Sequence, residues 1–85
     1  MKHATATALD RLEPLLTQLR RHDRLKEKSR GVFYFKSRAV LHFHEDPAGL
    51  FADFREGGDW QRFAVNTAAE RAALSRTVAS FLAAR

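Results

Sequence analysis

Two histidines and an aspartate form the first pattern in the sequence that suits metal chemistry. His42 and His44 are separated by one residue, so an extended strand places both imidazoles on the same face. Asp53 lies in the next apolar segment and stands opposite His42 if that segment returns antiparallel. Two imidazole nitrogens and a carboxylate oxygen are a ligand set for zinc or another divalent ion. The alternative is a cross-strand hydrogen bond between His42 and Asp53 without a metal.

This pairing depends on the turn at residues 46–49, which read Asp-Pro-Ala-Gly. Proline presets φ and glycine accepts a left-handed conformation, so the segment predicts a tight turn that pairs Glu45 with Leu50. The register gathers an apolar face of Leu41, Phe43, Leu50, Ala52 and Phe54. It leaves a second face of Val40, His42, His44, Phe51, Asp53 and Arg55. Because that face is not purely polar, we expect the chain itself, a second copy or a ligand to cover it, with plain exposure as the remaining alternative.

A basic segment between residues 20 and 38 carries the whole net charge of the chain. Its charge is +6, the net charge is +5, and the remaining residues sum to −1. The cations are Arg20, Arg21, Arg24, Lys26, Lys28, Arg30, Lys36 and Arg38. Contacts between such cations and phosphates supply most sequence-independent affinity for nucleic acid, so the segment predicts a nucleic acid or another anionic partner. The alternative is a solvated helix end whose cations stabilise the helix dipole.

The elements around these residues predict an α+β fold in the order α-β-β-β-(β)-α. Leucines at spacings of three and four predict a helix over residues 5–24, with its stronger part starting at 11 because of Pro14. Thr67 and Glu70 have capping-box spacing and begin a last helix that runs to about residue 84. The predicted strands are 32–36, 39–45, 50–55 and 60–65, and the charged residues 25–31 form a break. We expect an antiparallel sheet of three to four strands with two helices packed on one face.

Composition limits the class of protein. The 85 residues predict a single small domain, 1–85, in which 1–8 is a frayed segment. There is no cysteine, which excludes disulfide scaffolds, thiol catalysis and cysteine-bound metals. We find no serine-nucleophile or phosphate-loop motif, so we predict no catalytic residues and no enzyme. The sequence has neither an apolar run long enough to span a membrane nor a visible secretory signal, and we expect a cytoplasmic protein.

Two resemblances bear on the interpretation. The element order is similar to that of double-stranded-RNA-binding domains, but the lysine cluster that those domains carry at the start of the last helix is missing from residues 67–71. The stretch from Gly31 to Arg55 resembles a group of small bacterial proteins known only as conserved hypotheticals, over about residues 25–82. That resemblance implies a bacterial cytoplasmic domain and no particular activity.

The sequence therefore predicts a non-catalytic binding or interaction domain that contacts an anionic partner through residues 20–38. One alternative is a divalent-metal protein that uses His42, His44 and Asp53, with zinc or a similar ion as its only cofactor. Another alternative is a structural homodimer subunit that has no ligand.

Overall fold

Helices pack on one face of an antiparallel sheet in the computed structural model, which describes residues 2–85. The strands are β1 (Lys2–His3), β2 (Lys26–Ser29), β3 (Val32–Phe35), β4 (Arg38–Asp46), β5 (Gly49–Arg55) and β6 (Trp60–Ala64). The helices are α1 (Ala6–Arg11), α2 (Glu13–Leu19) and α3 (Ala68–Ala83). The sheet order is β2-β3-β4-β5-β6, and β1 pairs with β4 off that path.

The predicted α+β class is confirmed, but the predicted strand count and topology are wrong. The charged segment that we interpreted as a break forms β2, and the N-terminal segment contributes β1. The first predicted helix is divided at Leu12, and Pro14 lies in the first turn of α2, where a missing N–H costs little. The predicted frayed segment 1–8 includes residue 1, which lies outside the described residues. Within residues 2–85, no helix has the length and apolar character needed to cross a membrane.

The core lies between the helices and one face of the sheet. Phe33, Phe43 and Phe54 are buried on this face, and they form one apolar cluster with leucines of all three helices. Complete burial of a leucine or phenylalanine contributes about 1.5–3 kcal/mol relative to exposure. The helix α3 begins with the predicted capping box, in which Thr67 accepts from the Glu70 N–H and the Glu70 carboxylate accepts from the Thr67 N–H.

The pairing of β4 with β5 has the predicted register. Glu45 pairs with Leu50, and His42 pairs with Asp53. Gly49 has φ +135° and lies against the Asn66 side chain, which occupies the space that a Cβ would need. The Asn66 Oδ1 accepts from the Leu50 N–H at 2.8 Å. Because Gly49 has no side chain, Asn66 can approach closely enough to make this hydrogen bond at the start of β5.

A β-bulge in β4 moves Val40 away from its predicted face. Phe33 pairs with Leu41 but Tyr34 pairs with Ala39, so Val40 is the extra residue between two paired positions. Such an insertion interrupts the strict alternation of side chains. Val40 is therefore buried with the apolar cluster on the helix side, and the prediction that it lies beside His42 is wrong.

Candidate metal centre

Three histidines meet on the sheet face opposite the helices. One ring nitrogen from each of His3, His42 and His44 lies within 4.8 Å of the other two. The His42 and His44 rings meet edge to face with centroids 4.6 Å apart, as alternate residues of β4. His3 pairs with His44 across the sheet and stacks on it at 5.1 Å. The cluster therefore joins two strands that are distant in sequence.

Contacts on both sides of His3 hold it beside the other two rings. The pairing of β1 with β4 places Lys2 opposite Glu45. The Ala4 N–H donates to the Phe43 carbonyl at 3.1 Å, and the Thr5 N–H donates to the Glu45 carboxylate. Thr5 is also the N-cap of α1 and accepts from the Ala8 N–H, so a strand and a helix cap fix the backbone around His3.

His44 has one nitrogen satisfied and the other facing a carboxylate. Its Nδ1 lies 3.3 Å from the Lys2 carbonyl oxygen, and a carbonyl only accepts, so Nδ1 carries the hydrogen of that bond. In the neutral ring, Nε2 then bears a lone pair. This buried Nε2 lies 3.1 Å from an Asp53 oxygen but has no hydrogen-bond partner of acceptable geometry among residues 2–85. A lone pair that faces a carboxylate is repulsive, and either a proton on Nε2 or a metal cation bound to Nε2 removes the repulsion.

His42 presents a second buried nitrogen without a partner. Its Nδ1 has no hydrogen bond to any described residue. Burial lowers the pKa of His42 below its usual value of 6.5, and the neighbouring His44 lowers it further. The Trp60 ring lies edge-on against His42 at 4.6 Å between centroids. The imidazole is therefore kept neutral, which is the form that binds a metal.

Asp53 lies beside the cluster, as the register predicted, but its carboxylate is already paired. Arg62 on β6 donates to both oxygens, through Nε at 2.7 Å and through a terminal nitrogen at 2.9 Å. This bidentate ion pair with Arg62 lowers the pKa of Asp53, so the carboxylate stays ionised. Asp53 thus contributes negative charge beside the His44 Nε2, while the third member of the cluster is His3.

Comparison with known proteins adds no family: no protein-family model, curated protein or solved structure matches this chain.

The sequence placed two of the three cluster histidines and missed the third. His42, His44 and Asp53 follow from strand alternation and the turn at 46–49. His3 lies in a strand of two residues, which is too short to show any periodicity. Arg62 could have been inferred, because continuing the hairpin pairing into residues 60–65 places a cation opposite Asp53.

Most of the arginines in the segment 20–38 are held by contacts within the chain. Arg20 binds Glu13 and Glu27, and Arg30 binds Asp10 and Glu13. These hydrogen bonds raise the arginine pKa values and lower those of Glu13 and Glu27.

The other cations of the segment divide into two groups. The Arg24 guanidinium binds the main-chain oxygens of Leu82 and Arg85 at the end of α3. The remaining side chains are exposed: Arg21, Lys26, Lys28, Lys36 and Arg38. The contact of this segment with a nucleic acid or another anionic partner stays a prediction, as does the homodimer.

Proposed function

We propose that this protein binds a divalent transition metal of the zinc type through His3, His42 and His44. The observation that carries the proposal is the pair of buried ring nitrogens, on His42 and His44, that make no hydrogen bond within residues 2–85, although the His44 Nε2 lies 3.1 Å from an Asp53 oxygen. Buried polar atoms are rarely left unpaired in folded proteins, so each such atom needs an explanation. Here both belong to metal-ligating side chains that converge with a third. One bound cation accounts for both atoms.

The three ring nitrogens have to move only slightly closer together to coordinate one ion. Zinc–nitrogen distances of about 2.0–2.1 Å in a tetrahedral site separate the ligating nitrogens by about 3.3 Å. The three nitrogens now lie within 4.8 Å of one another. His3 is exposed and supplies the rotamer freedom for this approach, while His42 and His44 are fixed in β4.

The ligand chemistry selects the class of metal. Three imidazole nitrogens suit zinc, copper, nickel and cobalt, whereas calcium and magnesium prefer oxygen ligands. The Lys2 carbonyl orients the His44 ring through Nδ1, which is the usual outer support of a metal-bound histidine. The Asp53 carboxylate adds a negative charge that stabilises a bound cation.

Titration calorimetry with Zn²⁺ tests the proposal, with Co²⁺ absorption as a second readout of tetrahedral coordination. We expect one ion per chain for the wild type, and loss of at least tenfold in affinity for His42→Ala and for His3→Ala. His3→Ala changes an exposed side chain, so it reports on the site even if His42→Ala fails to fold.

His22 is the matched control because it is the one histidine of the four outside the cluster. His22→Ala should bind like the wild type. The proposal is overturned if neither Zn²⁺, Co²⁺ nor Ni²⁺ gives heat above buffer. It is equally overturned if His22→Ala loses as much affinity as His3→Ala.

A further inference from the structure

A cleft at the end of the sheet is lined by none of the histidines. It measures about 240 Å³ and opens between the β3–β4 turn, the β5–β6 turn and the end of α3. Four cations and four other residues line it: Lys36, Arg38, Arg55, Arg85, Phe35, Val40, Gly57 and Phe81. No acidic residue is among them, so the cleft concentrates positive charge from three separate parts of the chain.

These four cations differ from the arginines that are held in ion pairs. Over the part of the chain that the structure describes, the ion pairs within 4.0 Å involve Arg20, Arg30, His44 and Arg62, and none involves a cation of the cleft. No acidic side chain within 4.0 Å therefore competes with an anion for these four cations.

The cleft holds its cations over an apolar floor. The Lys36 Nζ lies 5.4 Å from the Phe35 ring centre, and the Arg85 guanidinium lies 4.5 Å from the Phe81 ring centre. Both rings are almost fully buried. Because such a floor excludes water on one side, charge interactions at the cleft are stronger than on an open surface.

Arg55 is fixed in place before any ligand arrives. Its guanidinium donates to the Ala39 carbonyl at 2.6 Å and lies 4.6 Å from the centre of the Trp60 ring. The carbonyl that it binds belongs to the β4 bulge, so the same irregularity that buries Val40 also orients Arg55. A preorganised guanidinium loses less freedom when it binds an anion.

Size and donor geometry define the ligand. Pockets for drug-sized molecules measure about 300–1,000 Å³, so this cleft accepts a smaller group. Guanidinium forks match the oxygen geometry of phosphate and bind it bidentately. We propose that the cleft binds the terminal phosphate of a phosphate monoester, supplied by a small phosphorylated molecule or by the 5′ end of a nucleic-acid strand.

The test is an amide NMR titration in phosphate-free buffer with glycerol 3-phosphate, a 5′-phosphorylated eight-nucleotide single strand and the same strand with a 5′-hydroxyl. Glycerol 3-phosphate or the phosphorylated strand should shift amides around residues 35–38 and 55–57. Whichever binds more tightly identifies the source of the phosphate. The 5′-hydroxyl strand should bind at least tenfold more weakly than the phosphorylated one.

Arg38→Gln and Arg21→Gln form a matched pair, since both remove one exposed arginine charge and only Arg38 lines the cleft. Arg38→Gln should weaken binding about tenfold, while Arg21→Gln should change it less than twofold. The proposal fails if no probe shifts the cleft amides, or if both variants lose affinity equally. It also fails if the two strands bind equally well, because that result indicates contact with the phosphate backbone.

Discussion

At the scale of single residues, Glu27 shows how a carboxylate organises the basic segment around it. It accepts from Arg20 through both oxygens and from the Gly31 N–H at 2.9 Å, so it fixes the turn between β2 and β3. These bonds, with Arg20 the largest cause, lower the pKa of Glu27 below its usual value of 4.5. The folded state thus binds fewer protons at this site than the unfolded state.

The pH dependence of stability follows from that direction. The contribution of Glu27 is fully present above about pH 4.5 and is lost as the pH falls through the lower folded-state pKa. We expect Glu27→Gln to reduce the free energy of unfolding at pH 7 by about 1–2 kcal/mol. The value is modest because Arg20 is partly exposed and retains its ion pair with Glu13 in the variant. The difference from the wild type should shrink between pH 4.5 and 3. Urea unfolding at each pH measures it.

Glu56→Gln provides the comparison, because Glu56 is exposed in the β5–β6 turn. It should change the free energy of unfolding by less than about 0.5 kcal/mol at any of these pH values. A constant difference between Glu27→Gln and the wild type from pH 7 to pH 3 contradicts the assignment to the carboxylate charge.

The residue scale also shows how much of the histidine cluster could be predicted from the sequence. Alternation along β4 is enough to place His42 and His44 together, and a turn with defined backbone preferences is enough to bring in Asp53. His3 approaches through main-chain pairing of a two-residue strand, which depends on tertiary contacts and leaves no pattern in the side chains.

At the scale of elements, the β3–β4 turn departs from its preferred sequence. Lys36 has φ +52° and Ser37 has φ +68°, so two non-glycine residues adopt left-handed conformations. Two-residue hairpin turns of this kind favour Asn-Gly, because only glycine adopts φ > 0 without cost. The pairing of Phe35 with Arg38 across the turn depends on this geometry.

Ser37→Gly should therefore stabilise the protein by about 0.5–1 kcal/mol, since the relief of the left-handed strain exceeds the added freedom of the unfolded chain. Ser80→Gly is the opposite case, because Ser80 is exposed within α3 and glycine costs about 0.5–1 kcal/mol in a helix. Urea midpoints should move in opposite directions for the two variants. A lower midpoint for Ser37→Gly contradicts the account of the turn.

The strongly patterned elements were predictable, and the irregular ones were not. The capping box of α3 and the register of β4 with β5 rest on local chemistry, so the sequence was sufficient for them. The strand β2 is mostly exposed, and three of its four residues are charged; it is extended because it pairs with β3. The bulge at Val40 is an insertion that only the paired strand reveals.

At the scale of the whole molecule, the sheet separates two environments. The helices and the apolar core occupy one face, and the histidine cluster occupies the other. The cluster links the N-terminal strand β1 to the central strand β4, whose pairing otherwise rests on short main-chain contacts. A metal bound there joins distant parts of the chain and is bound fully only when the chain is folded.

Zinc should therefore raise the stability of the entire fold. A ligand at about 100 times its Kd that binds only the folded state adds about 2.7 kcal/mol to the free energy of unfolding. For a domain of this size, about 1 kcal/mol raises Tm by roughly 4–8 °C, so we expect a rise of about 10–20 °C at pH 7.5. Residual binding to histidines of the unfolded chain makes the observed rise smaller than this limit. Thermal unfolding followed by circular dichroism, with and without zinc, measures it.

The variants separate site binding from general effects of the ion. His22→Ala should keep the zinc-dependent rise, because His22 lies outside the cluster, and His3→Ala should lose most of it. At pH 5.5 the rise should be much smaller even in the wild type, because protons compete with the metal for imidazole nitrogens. A rise that is equal in His3→Ala and wild type shows that zinc acts elsewhere on the fold. If the rise is lost in His3→Ala and kept in His22→Ala, the bound metal stabilises the contact between β1 and β4, the strand at the centre of the sheet.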